Sequence, residues 1–131
     1  MKIIFGGKDS VNRKAVEDKS VDILMSPERN RSHDFMKSRN SGLNQVLCRL
    51  AHNNNIAIGF DFNHLLNAKE SERPNILGRM KLNVKLCNKY NVKMYICNSI
   101  KNKNEIKGNL DLEVFGRVLG MRKVVVKKFE Y

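Results

Sequence analysis

The stretch that decides the fold runs from Ser41 to Leu66, SGLNQVLCRLAHNNNIAIGFDFNHLL. Leu43, Val46, Leu47, Leu50 and Ala51 recur at i, i+3, i+4, i+7 and i+8, the spacing of one helical face. Asn40 or Ser41 can cap the start of this helix, and Asn53 to Asn55 tolerate the left-handed turn that ends one. The chain then passes directly into IAIGF, residues 56–60, apolar at every position. A strand apolar on both faces belongs to a parallel sheet covered by helices. It ends at Asp61 and Asn63. The carboxyl ends of parallel strands are where α/β folds place their sites, so these two polar residues raise the question of chemistry.

The pattern repeats on either side. Ile3 to Phe5, closed by Gly6-Gly7, reads as a short strand, and residues 12–17 as about one and a half helical turns with Asn12 as N-cap. Val21 to Met25 is a second strand, stopped by Ser26-Pro27, and ERNRSHDFMKSRN, residues 28–40, has no period and reads as a loop. A longer helix starts near Pro74 and ends at Tyr90, with Ile76, Leu77, Met80, Val84 and Cys87 as its core face. Lys81, Lys85 and Lys89 fall on another face, and Leu82, Leu86 and Tyr90 on a third. That third face is either a docking surface for a partner protein or packing against a neighbouring helix. KMYICNS, residues 93–99, is the next strand, NLDLEVFGRVLG, residues 109–120, a helix capped by Asn109 and ended by Gly120, and KVVVKKF a last strand. Strand and helix alternate without a hairpin signal, which predicts a parallel sheet with right-handed crossovers.

Composition narrows the function. The 131 residues form one domain, and a net charge of +12 with pI near 9.9 calls for a polyanionic partner, nucleic acid first. Cations gather as Arg29, Arg31, Lys37 and Arg39, as Lys101, Lys103 and Lys107, and as Arg122, Lys123, Lys127 and Lys128. The first two groups follow strand ends on one side of the sheet, where such folds bind ligands. No Trp and few loop aromatics argue against stacking on single-stranded bases as the main mode, leaving phosphate and shape recognition of a folded RNA or a duplex. Arg31, Lys37, Arg39, Lys101, Lys103 and Arg122 are the expected RNA contacts.

Catalytic chemistry finds little support. Asp61 has no carboxylate partner to divide acid and base roles, and short polar residues after strands commonly cap the next helix. His33, His52 and His64 lack metal-ligand spacing. Cys48, Cys87 and Cys97 are scattered through apolar segments without C-x-x-C, as reduced core thiols of a cytosolic protein are. No dinucleotide fingerprint follows any strand, and no apolar run reaches the ~20 residues of a membrane span.

Four segments in register, VNRKAVEDKSVDILMSPE, NSGLNQVLCRLAHNNNIAIGF, RMKLNVKLCNKYNV and DLEVFGRVLGM, resemble protein component 3 of archaeal ribonuclease P, a family related to the thirty-kilodalton subunit of the eukaryotic enzyme. The resemblance covers essentially the whole chain. It implies a TIM-barrel-like parallel β/α fold and a subunit of the particle that removes the 5′ leader from precursor tRNA, with the RNA as catalyst and divalent metal on that RNA. It also implies docking to other protein subunits, especially the Pop-five-like one. Family members commonly run longer at the N-terminus, and their first barrel strands have no counterpart before Met1. The expectation is therefore an incomplete barrel of about five strands, marginal or self-associating alone. The family's barrel resembles metal-dependent phosphoesterases with an N-terminal histidine motif, which has no match here. A small degenerate phosphoesterase and a ribosome-associated RNA-binding protein stay open as alternatives.

Overall fold

The computed structural model describes residues 1–31, 33–36, 39–100 and 109–130. Strands β1 (Ile3–Phe5), β2 (Ile23–Met25), β3 (Ala57–Asp61), β4 (Met94–Ile100) and β5 (Val126–Glu130) form one sheet in the order β1-β2-β3-β4-β5. Every neighbouring pair is parallel, with Ile23 opposite Ala57 and Ile96 opposite Val126. Each strand thus lies beside its sequence neighbour, the order of a barrel wall. Right-handed crossovers between such neighbours place the helices on one face.

Those helices are α1 (Asp9–Glu17), α2 (Gln45–Asn53), α3 (Phe62–Asn67), α4 (Arg73–Tyr90) and α5 (Asn109–Leu119). Alternation along the strands sends Ile4, Leu24, Ile58, Phe60 and Ile96 towards the helices. The opposite face carries Ile23, Met25, Ala57 and Cys97, flanked by Ile3 and Tyr95. Gly59 is required on that second face. A Cβ there would lie 2.8 Å from Met25 Sδ, and its absence lets Met25 lie across β3.

Several sequence-based boundaries move, each for a physical reason. Helix α1 starts three residues before Asn12, and Asn12 caps nothing. Its fully buried amide accepts from Gly7 N at 3.0 Å and donates to Pro27 O at 3.1 Å and Gly42 O at 3.2 Å, joining three loops. Gly42 has φ +86° and approaches Pro27 so closely that only glycine fits. Helix α2 begins at Gln45 with Asn44 as N-cap, accepting from Leu47 N at 2.9 Å, in place of Asn40 or Ser41. Its buried face is Leu47, Cys48 and Ala51, while Val46 is 51% exposed. Leu43 is buried from the preceding loop. At the other end, Asn55 takes φ +57°, as the asparagine run suggested.

Helix α4 runs as read, with Ile76, Met80, Val84 and Cys87 buried and Asn91 closing it at φ +56°. On its third face, Leu86 and Tyr90 are half-buried and pack against the helix-side core. Leu82 is also half-buried.

Candidate nucleic-acid interface

Lys81, Lys85 and Lys89 recur every four residues on α4, so they form one exposed row with about 6 Å of helical rise between successive members. None of them pairs with a carboxylate among the described residues. The row meets a second cationic segment through a tertiary contact. Asn88 Nδ2 donates to Gly120 O at 3.2 Å, and Gly120, at φ +101°, ends α5 and turns the chain into exposed Arg122 and Lys123. A groove of about 330 Å³ lies between them, lined by the three lysines, Asn88, Gly120 and Arg122. A neighbouring hollow of about 440 Å³ shares Asn88 and Arg122 and adds Lys93 and Lys123. Lys89 Nζ sits 5.4 Å from the Tyr90 ring centroid, and Arg49 Cζ 5.6 Å, so the aromatic face holds two cations at the edge of this surface.

This groove lies at the amino ends of β4 and β5. The RNA contacts expected from sequence lie mainly in loops at the carboxyl ends, where the geometry is different. The Arg31 guanidinium is only 9% exposed, with Nη2 2.7 Å from Asp9 Oδ1 and Nη1 2.9 Å from Asn40 Oδ1. Those contacts hold the loop together, and Arg31 has no open face for an RNA phosphate. Arg39 is 42% exposed and docks on α4: a Cβ on Gly78 would lie 2.5 Å from its Nε. Its Nη1 is 3.4 Å from Asp34 and 3.3 Å from Asn75. Of the expected contacts, Arg122 lies in the basic groove, whereas Lys37, Lys101 and Lys103 lie outside the described residues.

Asp34 organises the carboxyl-end loop. The Asn40 backbone N–H, 2.9 Å away, is the main reason its carboxyl is held below the usual range, with the Arg79 and Arg39 guanidiniums adding to the effect. Arg79, buried in α4, donates to Asp34 Oδ1 at 3.0 Å and to Arg31 O at 2.8 Å.

The candidate catalytic groups have other roles. Asp61 is buried, accepts from Asn63 N at 3.1 Å as the N-cap of α3, and lies 3.7 Å from Arg29 Nη2. His52 Nδ1 meets Asn91 O at 2.9 Å, and His64 Nδ1 meets Glu28 Oε1 at 3.3 Å. Among the described residues, no three His, Cys, Asp or Glu side chains converge as a metal site would need. All three cysteines are buried and reduced. Burial, reinforced by nearby Asp61, pushes Cys97 up to about 12, and the contact with Cys48 together with burial drives Cys87 well above the ordinary thiol range. Thiols so placed are poor nucleophiles. No described helix is long and apolar enough to cross a membrane.

Residues 3–129 match the family model described as RNase P subunit p30. The chain belongs to the RNase P subunit p30 family. Ribonuclease P protein component 3 of Methanocaldococcus jannaschii is 40% identical over 113 residues, 86% of this chain and 46% of that protein. The Methanosarcina mazei protein of the same description is 36% identical over 119 residues, 91% of this chain and 46% of the relative. A chain in the cryo-EM structure of archaeal ribonuclease P with mature tRNA superposes with TM-score 0.77 at 39% identity, covering 90% of this chain and 48% of that one. This p30 family member thus spans about half the length of the relatives it matches. The five-stranded parallel sheet agrees with the barrel-like fold that the resemblance implied.

Proposed function

We propose that this chain is a protein subunit of ribonuclease P, and that it binds the particle's RNA through the groove between the end of α4 and the turn after α5. The observation that carries the reading is the unpaired cation row Lys81, Lys85 and Lys89, joined by Arg122. On a p30 family member with net charge +12, such a row is suited to neutralising RNA phosphates. The particle's RNA carries the cleavage that removes the 5′ leader of precursor tRNA, with divalent metal held on the RNA and none by this chain. The protein stabilises the RNA fold and docks a second protein subunit, the Pop-five-like one, in the cytoplasm. A hydrolytic site of its own has no support, since the candidate residues cap helices or tie loops.

The test uses a reconstituted particle. Lys81→Glu/Lys85→Glu should lower RNA affinity and flatten the dependence of log K on log salt by ~0.7–0.9 per lost phosphate contact. Precursor-tRNA cleavage by the reconstituted particle should fall with it. An unchanged salt slope would move the RNA surface away from α4.

A further inference from the structure

The hollow of about 440 Å³ at the amino ends of β4 and β5 lies beside the lysine row and shares Asn88 and Arg122 with its groove. Its volume falls in the ~300–1,000 Å³ range of sites that enclose small molecules. Backbone bonds fix its walls. Lys93 O accepts from Ile58 N at 2.9 Å and Val125 O from Ile96 N at 2.8 Å, so the starts of both strands are pinned to their neighbours. On the helix side, Asn91 closes α4 at φ +56°, and Val92 N donates to Cys87 O at 3.0 Å.

The hollow offers a ligand something the groove does not. Lys93, Arg122 and Lys123 are exposed around it and pair with no carboxylate among the described residues. Met94, Tyr95 and Val125 line it and are only half-buried, so apolar surface stays open to solvent beside those cations. Lys127 Nζ, 4.5 Å from the Tyr95 ring centroid, brings a further cation up to that ring. No carboxylate lines the hollow among the described residues. Inorganic phosphate alone would use the cations and leave the apolar surface wet. An uncharged apolar ligand would leave the cations without a counter-charge. A nucleotide uses both, through its base and its phosphate. A base stacked and paired inside a helix cannot enter such a hollow, whereas unpaired bases in bulges and loops splay out into protein pockets.

We propose that this hollow takes the base of an unpaired nucleotide whose flanking backbone lies along Lys81, Lys85 and Lys89. Arg122, common to hollow and groove, stands at the junction, where it meets the phosphate of the extruded residue. The inference rests on the RNA-binding reading of the groove and adds the kind of RNA bound: a helix interrupted by a bulge or a loop.

The test compares the binding of the full chain to RNA hairpins that differ at one position of the stem: fully paired, with a single bulged uridine, or with an abasic residue at the bulge. The uridine bulge should bind about tenfold more tightly than either of the others, within what one base contact supplies. The abasic hairpin separates the base from the flexibility that a bulge gives the stem. With 4-thiouridine at the bulge, irradiation should crosslink the base to residues 93–95 or 122–125. Val125→Glu puts a carboxylate on the half-buried wall and should bring the bulged RNA down to the affinity of the paired one. If that variant fails to fold, the abasic comparison and the crosslink still decide. Equal binding of the uridine and abasic bulges, a crosslink confined to other segments, or no binding of any hairpin would overturn the proposal. So would displacement of the bulged RNA by UMP at a concentration near that RNA's own Kd, which would assign the hollow to a free nucleotide. Loss of a protein subunit from the reconstituted particle on Val125→Glu, with the bulge preference unchanged, would give the surface to a protein instead. Lys81→Glu/Lys85→Glu should weaken all of the hairpins by a similar factor and keep the preference for the bulged base. A missing preference beside a responsive lysine row removes this inference alone, and a kept preference beside an unresponsive row removes the row as the phosphate track.

Discussion

The two faces of the sheet use the same five strands but are held in different ways. The helix side is continuous: Leu24, Ile58, Phe60 and Ile96 meet residues from every helix, from Ala15 on α1 to Leu112 on α5. The other face has only Ile23, Met25, Ala57 and Cys97 in its buried cluster, with Ile3 and Tyr95 at its margin and Phe5 40% exposed. No described helix covers it. It is closed by its own side chains: Met25 lies over Gly59, and Lys127 Nζ stands 4.5 Å from the Tyr95 ring centroid. The helix layer thus holds the larger buried cluster, and the opposite face a smaller one.

A truncation on each face tests this difference in packing. Phe60→Ala removes a fully buried ring from the helix-side core and should cost ~3–5 kcal/mol, read from urea unfolding. Met25→Ala should cost ~2 kcal/mol, the low end for such a change, because Met25 packs in a small cluster of four buried residues that has fewer neighbours than the helix-side core. Equal losses would mean that the Met25 face is packed as tightly as the helix side.

A smaller effect tests how the Met25 face closes. Gly59→Ala places a Cβ against Met25 Sδ and Ile23 Cγ2 and should cost ~1–2 kcal/mol. The double variant with Met25→Ala should be less destabilised than the sum of the two single changes. Simple additivity would show that the glycine serves something other than the methionine.

The smallest effect is at the open edge, where β1 pairs only with β2 among the described strands. Asp18 accepts from the Ser20 hydroxyl and N–H and from Lys2 Nζ, which lowers its carboxyl from 3.8 to about 2. A carboxyl with a depressed folded value adds stability that is present above pH ~4 and is lost as pH falls through 2. The wild-type urea midpoint should therefore drop more than that of Asp18→Asn between pH 5 and pH 2, and salt should shrink the difference because the group is exposed. Identical pH profiles would show that this contact does not secure the edge strand.

How much of this was legible varies with the range of the interaction. The long helix ending at Tyr90 and the strand at IAIGF could be read directly, because local periodicity and apolar runs mark them. The start of α2 was misplaced because Asn40, Ser41 and Asn44 are all competent caps, and only the loop held by Asn12 and Gly42 decides among them. Val46 joined the apolar face by spacing, yet the helix turns that position outward. Glu28 gave no signal at all, since a charged residue in a basic loop looks solvated, yet folding buries its side chain beside His64 of α3.

The sequence by itself determined the order of elements, the parallel sheet and the cationic character, because those depend on side-chain period, turn residues and net charge. Tertiary contacts set which charges lie together. Lys81, Lys85 and Lys89 share a helix face by spacing, but Arg122 joins them through the packing of α4 on the end of α5, where Val84, Leu119 and Met121 are buried together and Asn88 bonds to Gly120. Arg31, equally basic in sequence, is drawn inward by Asp9 and Asn40. A charge's availability depends on partners brought together by folding, and separation along the chain does not encode it.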